Sequence, residues 1–435
     1  RIVRFAARSG IELLKKILII TSQFPPSNLT GVHRARLFAN HLPEYGWEPI
    51  VLTVDEKYYE EKLDPDLSSL LPPGLRIEKV SAFRITKPRT IGDIGLRAFF
   101  QLHKKAKQII RTEKIDFLYI PIPSFYIALL GRWLHRETRI HYGIDYIDPW
   151  VQPGSGHKAL FSRSSMSNGV ARILEPVAVK RASLITGVAE GYYQGVLQRN
   201  PGLAKKAVVG AMPYGGEKSD HDKIAAFRSK FSLFEKKAGK LQLIYAGTML
   251  PKAYKPLEEI FKCIAAARAS FTNLEIHFVG SGKSPDDALG YNIRPLAERY
   301  GLWNNTIFEY PKRIPYLDVL AQLSEADGIF ILGSTEIHYT PSKIYQAVLA
   351  GKPILAVLNK RSTAVGILKD AGAGIVLEFD GEQTETIQQD WPIVYEEFLQ
   401  FRKQFTPAQV DQRVFAEFSA SETTRKLVQL MEKIK

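Results

Sequence analysis

Cysteine is nearly absent from this chain of 435 residues: Cys263 is the only one. That excludes an intramolecular disulfide and a cysteine-built metal cluster, and it suits a reducing, cytoplasmic setting. Cys263 falls in a helical pattern over 257–267, where it reads as core filler. Also missing is any apolar run of the ~18–20 residues that a membrane span needs. The start, residues 1–14, is basic and partly apolar, but it has no signal-peptide core or cleavage site, so it reads as a basic arm or short leader helix. No set of His, Asp and Glu stands out as a metal site, so no metal is expected. No basic motif interleaved with aromatics points to nucleic acid. Repeats and low-complexity tracts are absent as well.

What is present is a globular composition, 45% hydrophobic and 24% charged, in a chain long enough for two domains with full cores. Net charge is +14 and unevenly spread. From Arg76 to Lys114, eleven Lys or Arg stand against Glu78, Asp93 and Glu113, a net +8. Within this stretch the period predicts a helix over 94–111. Leu96, Phe99, Phe100, His103, Ala106 and Ile110 line one side, with Lys104, Lys107 and Arg111 on another. Such a face is either simply solvated or a surface for anionic lipid headgroups, and the second reading implies a peripheral membrane protein.

Short apolar runs alternate with helical patterns in both halves. Strands are predicted at 16–21, 49–54, 76–80, 116–122, 139–144, 183–188 and 207–212, then at 242–246, 274–279, 306–309, 328–332, 353–357 and 374–377. Helices fill the gaps, among them 32–45, 94–111 and 190–198. This is an α/β pattern of two Rossmann-like domains, each a parallel sheet covered on both faces. The predicted boundaries are a first domain over 15–212, a linker over 213–221 and a second domain over 222–410. A C-terminal helix over 411–435 completes the chain.

The segment 341–352 is the most informative. It follows a buried-strand pattern and a polar loop, so a helix begins at the carboxyl end of a sheet, with Pro341 suited to its first position and Gly351 to its stop. A helix start with Ser342 and Lys343 beside it suits a phosphate, and an ordinary amphipathic helix explains the segment about as well. Pro341, Ser342, Lys343 and Gln346, followed by Gly351, Lys352 and Pro353, resemble the donor-sugar motif of glycosyltransferase family 4, which has the GT-B fold. In that family the position of Gln346 is usually Glu, and the position of His338 is usually a second acid.

Other stretches extend the resemblance over nearly the whole chain. Gly31, His33 and Arg34 follow the first strand and its Pro-containing loop, as in the family's first loop. There a glycine lets backbone approach the reacting phosphate; His33 and Arg34 contact acceptor or phosphate, or are solvated. Asp145, Tyr146, Ile147, Asp148, Pro149 and Trp150 resemble an Asp-x-Arg-Asp-Pro-Trp signature, with Ile147 in place of Arg. Either acid could orient an acceptor hydroxyl or merely cap the turn before Pro149; Asp148 is the favoured one. Gly247 and Thr248, with Lys252 and Lys255 downstream, are similar to the loop that binds the donor diphosphate. Gly280 and Gly282 match a Val-Gly-x-Gly turn around the nucleotide, and Pro311 and Arg313 stand in the loop beside the base. Asp64 and Asp66 form an Asp-x-Asp in a turn-rich stretch and are discounted.

The resemblance implies that the first domain binds an acceptor, the second a nucleotide-sugar, and that the last helix crosses back onto the first domain; the sugar would pass to a glycan or lipid-linked acceptor, with retained configuration and without cofactor or metal. The setting it implies is polysaccharide biosynthesis at the cytoplasmic face of a membrane. Two alternatives stay open: a catalytically silent GT-B subunit, which would account for Gln346 and His338 together, and a nucleotide-sugar 2-epimerase.

Overall fold

The computed structural model describes residues 14–85, 92–122, 124–152, 163–227, 229, 231–284, 286–336 and 343–435. Most of the expected basic arm, residues 1–13, lies outside them, as do His338, Pro341 and Ser342.

Seven strands form the first sheet: β1 (Lys15–Ile20), β2 (Trp47–Val54), β3 (Arg76–Val80), β4 (Phe117–Ile122), β5 (Tyr142–Tyr146), β6 (Leu184–Gly187) and β7 (Val208–Ala211). Their order is β3-β2-β1-β4-β5-β6-β7, parallel throughout. Six form the second: β8 (Leu241–Ala246), β9 (Leu274–Val279), β10 (Ile307–Tyr310), β11 (Gly328–Leu332), β12 (Ile354–Asn359) and β13 (Gly374–Phe379). These too are parallel, in the order β10-β9-β8-β11-β12-β13. Every strand read from the sequence is therefore present, with ends shifted by up to three residues. The cause is plain in β1, where Ile17, Leu18, Ile19 and Ile20 are wholly buried: both faces are covered, so both sets of alternating side chains must be apolar. In each sheet the order reverses beside the first strand, at β1/β4 and at β8/β11, which opens a crevice at the carboxyl ends.

Helices cover each sheet from both sides. On one face of the first sheet, helix Thr30–His41 packs with helix Ala420–Glu432 over Ile17, Ile19 and Tyr119. The opposite face carries helices Phe99–Thr112, Ala128–Thr138, Arg163–Val179 and Glu190–Arg199. The helix expected over 94–111 is interrupted. Asp93 caps its first turn through the Leu96 amide at 2.8 Å, and Ala98 then leaves the helical region at φ −103°, ψ 3°. Two helices result, Ile94–Arg97 and Phe99–Thr112.

The chain passes between the domains twice. After β7 it runs through residues 213–217 into the short helix Lys218–Asp222, and it returns after a second-domain segment holding Val410 and Phe415. The two crossings are tied together: Gly216 N–H donates to Phe418 O at 3.0 Å, and Ala420 N–H donates to Gly216 O at 2.9 Å. They approach so closely that a Cβ on Gly215 would lie 2.4 Å from the Ala420 Cα. Beyond this point Leu427, Val428, Leu430 and Met431 enter the first domain's core, so the last helix crosses back onto that domain. No helix among the described residues is long and apolar enough to cross a membrane.

Leu427 is fully buried in that core. Leu427→Ala should lower the stability of the first domain by about 2–5 kcal/mol, the cost of lost burial plus a cavity. Urea unfolding of parent and variant, followed by tryptophan fluorescence, measures the difference.

Candidate active site

The carboxyl ends of the two sheets face a common cleft, and the first domain sends helix Thr30–His41 to its floor. Leu29 occupies the N-cap without a side-chain cap, and the first turn has no acid, so the opening amides around Gly31 are not taken by a capping side chain. The same helix carries two buried arginines. The Arg34 guanidinium grips Asp145 with two hydrogen bonds, Nε to Oδ2 at 2.7 Å and Nη2 to Oδ1 at 2.9 Å. Its remaining nitrogen reaches the carbonyls of Met212 at 2.6 Å and Pro213 at 3.0 Å. Thr186 Oγ1 also donates to Asp145, at 2.7 Å. Asp145 has no exposed surface. Two expectations are corrected here. Asp145 is not a cleft carboxylate, because as part of β5 it points into the layer beneath helix Thr30–His41. Nor is Arg34 solvated or turned to a ligand: it fastens that helix to the sheet and to the start of the linker.

Asp148, just past the end of β5, is placed differently. Asp148 is exposed, yet enough protein surrounds it that burial raises its pKa from the ordinary value. Tyr192 stands nearby. Burial raises its hydroxyl pKa, and the negative charges of Asp148 and Glu336 add to the rise. Tyr192 therefore lies within reach of the charge of Asp148 in the first domain and of Glu336 in the second. Glu336 pairs with Lys252 at 3.2 Å, both side chains being more than half exposed. Lys255, one helical turn on, bonds Glu382, whose carboxylate also accepts from Thr335 at 2.7 Å.

Glycine-bearing loops of the second domain come close to one another. Gly247 follows β8 with φ 110° and Gly280 follows β9 with φ 67°, conformations that favour glycine. A Cβ on Gly280 would find only the Cα atoms of Arg313 and Gly247 within about 4 Å, at 3.9 and 4.0 Å. Three backbone turns thus surround one open spot. Gly282 is needed for another reason: a Cβ there would lie 2.6 Å from Pro311 O. Thr248 is exposed beside this group. Arg313 points across the cleft and donates to Asn28 O at 3.1 Å.

Further into the interface the two domains share a chain of side chains that the sequence did not announce. Arg36 binds Asp220 in a bidentate pair at 2.9 and 2.6 Å. Tyr316 O–H donates to Asp220 at 3.0 Å, Gln346 Nε2 donates to Tyr316 at 3.1 Å, and Gln346 Oε1 lies 2.7 Å from His221 Nε2. Both ends of the Gln346 amide, expected at the donor, thus have protein partners. His33 lies against Tyr316 with ring centroids 4.5 Å apart. Its burial, with the positive charges of Arg36 and Arg313, pushes its pKa down to about 3, so it is neutral and no reservoir of positive charge. Asp64, discounted as an Asp-x-Asp acid, accepts from the Tyr316 amide at 2.7 Å and starts helix Tyr316–Glu325. Of Lys343 only the backbone is described; it opens helix Lys343–Leu349. On the outer surface Lys104 and Arg111 are exposed, and Lys107 pairs with Glu137 at 2.6 Å.

No protein-family model matches this chain, and no curated relative does either. Solved structures do. Sucrose-phosphate synthase from Thermosynechococcus elongatus superposes with a TM-score of 0.58 at 14% identity, covering 96% of this chain and 98% of that one. HepE of Anabaena, in complex with UDP and glucose, gives 0.61 at 15% identity, with 96% and 99% covered. A glycosyltransferase from Rickettsia africae gives 0.58 at 15%, with 97% and 98% covered. The fold is therefore the two-domain GT-B fold of such glycosyltransferases, along the whole length.

Two tests separate scaffold from site. Asp145→Asn strips the Arg34 guanidinium of its counter-charge, and breaking a buried pair costs about 3–5 kcal/mol. Its thermal unfolding should therefore fall well below that of the parent, while Asp148→Asn should unfold near the parent's temperature. The second test concerns pH. The neutral, buried His33, and His277, whose pKa burial lowers to about 4, gain protons on unfolding. Stability should be full above about pH 6.5 and fall as pH drops through 4 toward 3. His33→Gln should reduce that slope in urea titrations across the window, without abolishing it.

Proposed function

We propose that the chain is a nucleotide-sugar-dependent glycosyltransferase. The observation that carries the reading is the close approach of Gly247, Gly280 and Arg313 beside one open spot, together with Tyr192 lying near both Asp148 and Glu336, the partner of Lys252. Backbone can approach a nucleoside diphosphate at the glycine turns. Lys252 and Lys255 supply mobile positive charge for the leaving diphosphate once they exchange Glu336 and Glu382 for it. The uncapped start of helix Thr30–His41 adds N–H groups on the facing side. Asp148, its pKa raised, suits a carboxylate that accepts a hydrogen bond from an acceptor hydroxyl. In the retaining route, the bond from the anomeric carbon to the diphosphate breaks as the acceptor oxygen bonds to that carbon. The acceptor proton passes to the departing phosphate. The protein then positions both partners and stabilises the diphosphate, and no metal is called on.

Gln346 and Lys343 enter this reading as donor ligands. To meet a donor hydroxyl, Gln346 would use the second N–H or the second oxygen lone pair that its bonds to Tyr316 and His221 leave free, so a donor would bind beside a contact between the domains. Those same bonds favour a second reading, a silent subunit that binds a nucleotide or glycan without turnover. A glycan or lipid-linked acceptor, a role in surface polysaccharide assembly, and a cytoplasmic location on a membrane's inner face complete the proposal.

Incubation with a panel of nucleotide-sugars should release nucleoside diphosphate with one of them. Binding without release selects the silent subunit, and the absence of both overturns the site. In calorimetric titration Lys252→Ala should weaken nucleoside diphosphate binding by about 1.5–3 kcal/mol, the worth of a charged hydrogen bond. Unchanged affinity in Lys252→Ala and Lys255→Ala alike would remove the lysines from the site.

A further inference from the structure

Helices Phe99–Thr112, Ala128–Thr138 and Arg163–Val179 lie side by side on the outer face of the first domain. The last of them is apolar on two sides. Ala171 and Ala178 face the core, beside a buried Glu175 that Arg199 holds at 2.8 and 2.9 Å. On the opposite side Met166, Val170, Ile173 and Val177 follow one another at helical spacing and are 61%, 41%, 71% and 39% exposed. The water-facing side of a helix is ordinarily polar. Here an apolar stripe runs along it for ~16 Å, at ~1.5 Å per residue. Phe100 and Trp133 on the neighbouring helices are exposed too, Trp133 set edge-on against Phe99 at 4.9 Å. The charges on and beside these helices that lack an ion-pair partner among the described residues are all positive. Lys104, Arg111, Arg136, Arg172 and Lys180 are exposed and form no ion pair with any described residue, whereas the acid Glu137 is already taken by Lys107.

We propose that this face docks on an anionic lipid surface, Met166 and Ile173 entering the headgroup–acyl boundary while Arg172 and Lys180 meet lipid phosphates. Apolar side chains in a cationic frame are what such an interface rewards: burial supplies the adhesion, and the negative surface supplies the attraction. A second copy of the chain fits less well, because a two-fold contact would bring this cationic frame against another of the same sign. The docking element is thus helix Arg163–Val179, with Lys104 and Arg111 as outlying cations, while Arg97 is turned inward to Phe83 O and Glu60. Helix Arg163–Val179 lies between β5 and β6, so its Met166 end is at the sheet edge that opens on the cleft. Docking would hold the cleft near a lipid-borne acceptor. That last consequence rests on the proposed function, whereas the docking itself does not.

Co-sedimentation with phosphatidylcholine vesicles, with and without phosphatidylglycerol, tests the proposal across a salt series. The parent should bind only the anionic vesicles, and less as salt rises. Met166→Ser with Ile173→Ser should weaken binding about tenfold or more, from lost apolar burial alone. Arg172→Glu with Lys180→Glu should weaken it as well. Both variants should keep the parent's circular dichroism and thermal unfolding, because all four side chains are exposed. Parent protein that ignores anionic vesicles at low salt overturns the proposal, as does a serine variant that binds them like the parent. A parent dimer in size-exclusion chromatography that Ile173→Ser dissociates would assign the stripe to a second copy instead. Nucleoside diphosphate release, measured without vesicles, is independent: vesicle binding without release upholds the docking and counts against the enzyme.

Discussion

Two guanidinium groups on one helix hold this architecture in place. Arg34 and Arg36 are both buried, two residues apart on helix Thr30–His41, and each is met by a carboxylate in bidentate geometry. Arg34 fixes the helix to β5 through Asp145 and to the linker through the carbonyls of Met212 and Pro213. Arg36 fixes it to the linker helix through Asp220, and Asp220 in turn accepts from Tyr316 of the second domain. A buried charge without its partner is far more costly than an exposed one, so these bonds leave the helix little freedom. Gly31 and His33 take their place in the cleft because Arg34 and Arg36 have already fixed theirs.

The fold was legible in the sequence because its cause is local. Strands covered on both faces become continuous apolar runs, and each of the thirteen runs is a strand. The glycine turns were legible for a similar reason, since a positive φ at Gly247 and Gly280 leaves its mark in the residue type itself. What was not legible depends on partners far along the chain. Asp145 and Asp148 look alike in sequence, and only the arrival of Arg34, from 111 positions away, decides that one is scaffold. Gln346 resembles a donor ligand until His221 and Tyr316 are seen at its amide. Helix Arg163–Val179 shows no amphipathic period because apolar residues occupy both of its sides, and the periodic signal depends on their contrast.

The cleft is consequently a place of exchangeable contacts. Lys252 with Glu336 and Lys255 with Glu382 are exposed ion pairs, which contribute little stability and open at little cost. Deeper in, the Arg36–Asp220–Tyr316–Gln346–His221 chain joins the domains through hydrogen bonds that water does not easily replace. Contacts at the rim can yield to a ligand while those at the base keep the two sheets in register.

The paired crossings also bear on how such a molecule is made. Helix Ala420–Glu432 covers the β1 face of the first sheet, yet the whole second domain lies between them in sequence. As the chain leaves the ribosome, Ile17, Ile19 and Phe38 remain without that cover until the second domain has been synthesised. The first domain is then the earlier to begin folding and the later to finish, and for that interval an apolar sheet face is open to wrong partners. The close passage of Gly215 beside Ala420 sets the final act, the docking of a strap on a sheet that has waited for it.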